Sequence, residues 1–189
     1  MWDCYRKKWP PPVECEIQRV RCAPIAFTRS SQYNHWTVAN FVREIWEFNV
    51  QPFEQRVGES FRRQAFMATL GATITIEKQG EVEIRFPFHA SLTQQNDFVH
   101  AGAIASILDS ACGYAALSMA PEGHDVLSVE FKVNLLAPAV GEEFWARAQV
   151  KRAGKTLIVC AADAYARKDG QEKIVATMLA TIMVLRHQN

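Results

Sequence analysis

Between Gln94 and Met119 the chain carries groups suited to work on a carbonyl. Asp109 is the single charged residue in the segment 101–120, which has helix length and no proline. Ile104, Ile107, Leu108 and Ala111 recur at the three-four spacing of one helix face, while the other faces carry mainly Ala, Ser and Gly. A helix that is apolar or small all round is a buried one. A carboxylate placed there is either paired or put to use, because burying an unpaired charge is costly. A structural ion pair with an Arg or Lys from a strand, or a place on an unexpectedly wet side of the helix, is the plain alternative to catalysis. Ala105, Ser106, Cys112 and Gly113, one turn to either side, leave space beside the carboxylate. At the other end, His100-Ala101-Gly102 opens the helix, where unpaired N–H groups and the helix dipole favour an anion or a developing oxyanion. Gln94, just upstream, supplies an amide that can orient a water or a carbonyl.

The segment QQNDFVHAGAIASILDSACGYAA, residues 94–116, resembles the signature of the PaaI-like acyl-CoA thioesterases of the hotdog superfamily. That signature has Asn or Gln, then His-Gly-Gly six residues on, then Asp or Glu nine residues after the His; Gln94, His100 and Asp109 match it. Ala101 stands where the first glycine would be; it keeps the backbone N–H and adds a methyl group. The resemblance extends over roughly residues 52–187 and implies hydrolysis of an acyl-CoA without a cofactor or metal. In that scheme the Ala101 N–H polarises the thioester oxygen, Asp109 acts as general base or nucleophile, and Gln94 positions the water or the carbonyl. His100 and Gly102 shape the substrate side of the helix start, with His100 bracing the loop rather than moving protons. Ser128 matches a serine of related enzymes that hydrogen-bonds near the carboxylate; by alternation alone it is an ordinary outward-facing strand residue. Arg152 and Lys155, at a hairpin, are candidates for the CoA phosphates, or are simply solvated. Phe98, Val99 and Tyr114 are candidate lining for an aryl or medium-chain acyl pocket.

Eight residues separate Ala101 from Asp109, about 12 Å along a helix. A carbonyl held at the first is out of easy reach of the second in the same chain. A second helix running antiparallel alongside would supply the missing carboxylate, which favours a composite site at a two-fold interface. The resemblance implies the same, a homodimer or a tetramer of two dimers.

The rest of the chain must hold these groups in place. At 189 residues it suits one domain with an extension. A net charge of +1, with no aromatic-basic surface, offers nothing for nucleic acid. No apolar run reaches the length expected of a membrane span. The five cysteines form no C-x-x-C pair or metal-ligand spacing and suit a reducing cytoplasm, with Cys112 and Cys160 as core filling. Residues 1–50, with Pro10-Pro11-Pro12 and no sustained periodicity, read as an extension of loop or disorder; Val38, Phe41, Val42, Ile45 and Trp46 suggest a short helix in it. Residues 51–189 form the domain. Within it, residues 53–70 suggest a helix with a stripe of Val57, Phe61, Phe66 and Leu70. Period-two alternation marks strands at Val82, Ile84, Phe86 and Phe88, at Leu127 through Leu135, and at Phe144 through Val150. Residues 156–166 and 173–185 are more continuously apolar, as central strands are, and Lys168-Asp169-Gly170 signals a hairpin. The expected order is helix, two strands, long buried helix, four strands: an α+β hotdog fold, one antiparallel sheet wrapped around the helix. A non-catalytic acyl-CoA-binding module is the rival reading. A hydratase of the same superfamily fits poorly, because Asp97 lies only three residues before His100 rather than four or five.

Overall fold

The computed structural model describes residues 52–186. The expected extension, residues 1–50, with its short helical stripe, lies outside the described residues. In chain order the elements are α1 (Phe53–Arg63), α2 (Ala65–Thr69), β1 (Thr73–Lys78), β2 (Glu81–Pro87), a 3-10 turn (Ala90–Leu92), α3 (Ala101–Met119), β3 (His124–Leu135), β4 (Glu143–Ala153), β5 (Leu157–Lys168) and β6 (Gln171–Arg186). The six strands form one sheet in the order β1-β2-β4-β5-β6-β3, every neighbouring pair antiparallel. This is the α+β arrangement expected, with α3 packed across β2 to β6.

The core follows from the two periodicities. Ile104, Ile107, Leu108 and Ala111 of α3 are buried against Val82, Ile84 and Phe86 of β2, Phe144 and Ala146 of β4, and Ile158 and Ile182 of β5 and β6. Burying each large aliphatic side chain is worth about 1.5–3 kcal/mol. The α3 start is fixed by His100 and its end by Arg56 of α1, whose guanidinium donates to the carbonyls of Leu117 (2.7 Å), Ala120 (2.7 Å) and Pro121 (3.1 Å). These carbonyls lie in the last helical turn and just past it, where intrahelical donors run out. By length and composition α3 is apolar enough to cross a membrane, against the expectation from the sequence, but most of it is buried inside this fold.

The outer face of β2, β4 and β5 is polar. Glu83 is buried there between Arg85 and Arg147. Burial pushes its carboxyl up, but hydrogen bonds from the two guanidinium groups outweigh that and hold it below its ordinary value. Arg85 and Arg167 also pair with Glu143, and three arginines lie over the Trp145 ring. The Lys168-Asp169-Gly170 signal is a tight hairpin, with φ positive at Asp169 and Gly170.

Three local readings of the sequence need correction. The single helix expected over residues 53–70 is broken at Gln64, whose ψ is 92°. The break rotates the next turn, so Met67 is buried in place of Phe66, which is exposed. Phe88 lies past the end of β2 and is exposed. In β3 the alternation does not run through: a bulge between Ser128 and Glu130 shifts the register against β6 from Ile182 to Thr181. A bulge inserts one residue and reverses which side chains face inward on its two sides. Val126 and Ser128 therefore share the helix-facing side with Phe131, Val133 and Leu135, while Leu127 turns outward.

Candidate active site

The loop before α3 is pinned at several points. Thr93 and Val99 form an isolated antiparallel bridge, Gln94 N–H donates to the Phe98 carbonyl (2.8 Å), and Val99 N–H donates to the Ala139 carbonyl (3.1 Å). His100 N–H donates to the Leu92 carbonyl (2.8 Å), and Asp97 takes a positive φ of 64° to turn the chain. Gln94 Oε1 accepts from the Asn96 N–H at 2.5 Å. One acceptor site of its carbonyl oxygen is thereby engaged, and the NH2 is open to donate.

His100 caps the helix. It has extended backbone (φ −60°, ψ 136°), and its Nδ1 accepts from the Gly102 N–H at 2.8 Å. A nitrogen that accepts from a backbone N–H carries no proton there, so the ring is locked as a brace. A Cβ at position 102 would lie 2.9 Å from that nitrogen, so any larger residue there must push the imidazole aside. With the Gly102 N–H committed to His100, the Ala101 N–H is left without an acceptor among the described residues. Ala101 and Gln94 line one cavity of about 410 Å³ with Phe98, Leu135, Leu136 and Val175.

Asp109 sits in mid-helix, half-buried, and faces β3. Ser128 Oγ donates to its Oδ1 at 2.7 Å, a contact made possible by the β3 bulge. One carboxylate oxygen is held, and the other has no donor among the described residues. The cavity here, about 460 Å³, is lined by Ser60, Gln64, Ser110, Gly113, Tyr114 and Phe131 among others. The Tyr114 hydroxyl donates to Gln64 Oε1 at 3.2 Å, and burial pushes its pKa up, so it stays protonated at neutral pH.

The sequence-derived set thus divides in two. Gln94, His100, Ala101 and Gly102 gather at the helix start; Asp109 and Ser128 meet eight residues on, about 12 Å away, at a different cavity. Phe98 and Val99 line the first cavity and Tyr114 the second. Arg152 and Lys155 are exposed at the β4–β5 hairpin, at the end of the sheet near the α3 carboxyl terminus, where Val150 N–H donates to the Gly80 carbonyl and Gly80 N–H to Ser118 Oγ. Gln64 was not singled out from the sequence; with no glycine or proline near it, nothing marked the helix break that aims it inward. Cys112 and Cys160 are buried, and burial pushes the Cys160 thiol up to about 12 and Cys112 higher still, so both are inert filling. Among the described residues no His, Cys, Asp and Glu cluster could hold a metal ion.

Comparison with known proteins agrees with this fold. Residues 96–173 match the family model of the Thioesterase superfamily. A thioesterase family protein from Silicibacter pomeroyi of known structure is 53% identical, with a TM-score of 0.70 over 71% of this chain and 98% of the other. A candidate esterase of Saccharolobus solfataricus is 30% identical over 60% of this chain and 77% of its own length. The E. coli PaaI protein from the phenylacetic acid degradation operon shares the fold at 22% identity, with a TM-score of 0.63 over 70% and 92% of the two chains. The chain belongs to the hotdog-fold thioesterase superfamily and is a thioester hydrolase.

Proposed function

We propose that the protein hydrolyses an acyl-CoA to a carboxylic acid and free CoA at a site shared by two copies of the chain. The observation that carries this reading is the division of the donor and carboxylate sets between two cavities about 12 Å apart on one helix. The thioester oxygen accepts from the Ala101 N–H at the positive end of α3, and the Gln94 NH2 holds the carbonyl or the water. Asp109 of the partner subunit, fixed through one oxygen by its Ser128, takes a proton from the water as it attacks the carbonyl carbon. The C–S bond then breaks, the thiolate leaves and is protonated, and the acid departs. Direct attack by Asp109 is the alternative first step, with water then cleaving the mixed anhydride.

Two further features support pairing. Phe131, Leu135 and Leu136 are exposed on or beside the edge strand β3, an open edge that a second chain would cover. With the two α3 helices antiparallel, the partner's Arg152 and Lys155 hairpin falls on the Ala101 side, where CoA phosphates would lie. The assembly is a homodimer, or two such dimers in a tetramer.

The test is thiol release from a panel of aryl and aliphatic acyl-CoAs. Wild-type protein turns over at least one class, and Asp109→Asn, folded normally, loses about a hundredfold to ten-thousandfold in rate. Tight binding without thiol release would instead make the protein a binding module.

A further inference from the structure

We propose that Gln64, together with Tyr114, selects acyl groups that carry a hydrogen-bonding substituent about one helical turn from the thioester carbonyl. The inference rests on the proposed hydrolysis at Asp109 and adds a specificity-determining residue to it. The break between α1 and α2 turns Gln64 toward α3, where its Oε1 accepts from the Tyr114 hydroxyl at 3.2 Å. Its Nε2 lies 3.4 Å from Ser110 Oγ, at the outer limit of a hydrogen bond, so the amide retains donating capacity. Both α3 partners are nearly buried, with Tyr114 and Ser110 each 8% exposed. These groups form a polar wall in the same cavity that holds Asp109.

The cavity also has room for an occupant. A Cβ built at Gly113 meets nothing within 4 Å. Gly113 lies four residues after Asp109 on the same side of α3, about 6 Å along the axis. An acyl group with its carbonyl at Asp109 and its body running along α3 past Gly113 therefore ends at Gln64 and Tyr114. A plain hydrocarbon end would strip water from the amide and hydroxyl groups and return nothing. A hydroxyl or carbonyl there would restore the lost bonds. Sites built this way reject the analogue that lacks the polar group.

The experiment uses matched pairs, each with and without a terminal hydroxyl: benzoyl- and 4-hydroxybenzoyl-CoA, hexanoyl- and 6-hydroxyhexanoyl-CoA. Non-hydrolysable phenacyl and 4-hydroxyphenacyl thioethers of CoA report binding by calorimetry independently of turnover. In the wild type the hydroxylated member of a pair should win by about tenfold in kcat/KM and in thioether affinity, the effect of one net hydrogen bond. Gln64→Leu should bring both ratios near one. Tyr114→Phe, which keeps the ring packed edge-on against Phe61 at 5.6 Å, should reduce them in the same direction and guards against a folding defect in the first variant. Equal wild-type affinity for both thioethers, or a preference that survives both substitutions, overturns the proposal. Absence of any thioester turnover, with the thioether preference intact and Gln64-dependent, would sink the hydrolysis reading and leave the wall standing.

Discussion

Gly102 and Ala101 are neighbours with opposite demands, and the difference is testable. Ala101 contributes a backbone N–H and no side-chain contact that the chemistry needs, so Ala101→Gly should retain activity within about threefold, its cost being the helix propensity lost. Gly102 has no such freedom, because a methyl group there would meet His100 Nδ1 at 2.9 Å. Gly102→Ala should force the ring aside and release the cap, at a cost of about 0.5–2 kcal/mol of stability. With the loop unpinned, turnover should fall by more than the same measurement finds for Ala101→Gly. Thermal unfolding and thiol release on the two variants check this; equal effects would mean that His100 does not hold the helix start. The role of His100 as a brace was readable from its position, since an imidazole at a helix start accepts from nearby N–H groups. That the Gln94 oxygen accepts from the Asn96 N–H was not, because the contact is made in a loop whose turn depends on Asp97 at positive φ.

Among the elements, α3 was legible nearly to the residue: a run of small and apolar residues between His100 and Pro121, interrupted only by Asp109, reads as a buried helix, although the side carrying Ala105, Asp109 and Gly113 is only partly covered. The strand alternation in β2 and β4 was equally plain, since Val82, Ile84, Phe86 and Phe144, Ala146, Ala148 all point inward. Two irregularities escaped, and both serve the site. The β3 bulge brings Ser128 onto Asp109 although the simple alternation puts it outside, and the break at Gln64 aims an amide at the same cavity. Neither carries a glycine or proline to announce it; each is settled by tertiary contacts that a linear pattern does not contain. Arg56 is a third long-range feature, joining α1 to the end of α3. Charge-assisted hydrogen bonds of this kind contribute about 1.5–3 kcal/mol each, less where exposed. Arg56→Met should lower stability by about 2–4 kcal/mol in total, read as a shift of the urea midpoint. A midpoint within error of the wild type would show that α1 is held by its apolar face alone.

For the whole molecule the question is how many chains make one site. A single chain exposes Phe131, Leu135 and Leu136 by an open sheet edge, and it keeps the Ala101 N–H and the Asp109 carboxylate in different cavities. An antiparallel pair of α3 helices, as proposed, would resolve both, covering the edge and closing two equivalent sites. The decisive measurement mixes two inactive chains. Asp109→Asn removes the carboxylate. Ala101→Pro removes only the N–H at the first helical position, where proline is well tolerated and where His100 already has the extended backbone that a following proline requires. Each parent, shown to be folded and oligomeric, should be nearly inactive alone. In a mixed dimer one site carries both lesions and the other carries neither, so activity should return to about half of the wild-type value per heterodimer. Verified heterodimers that stay inactive would place donor and carboxylate of each working site in the same chain and contradict the shared site.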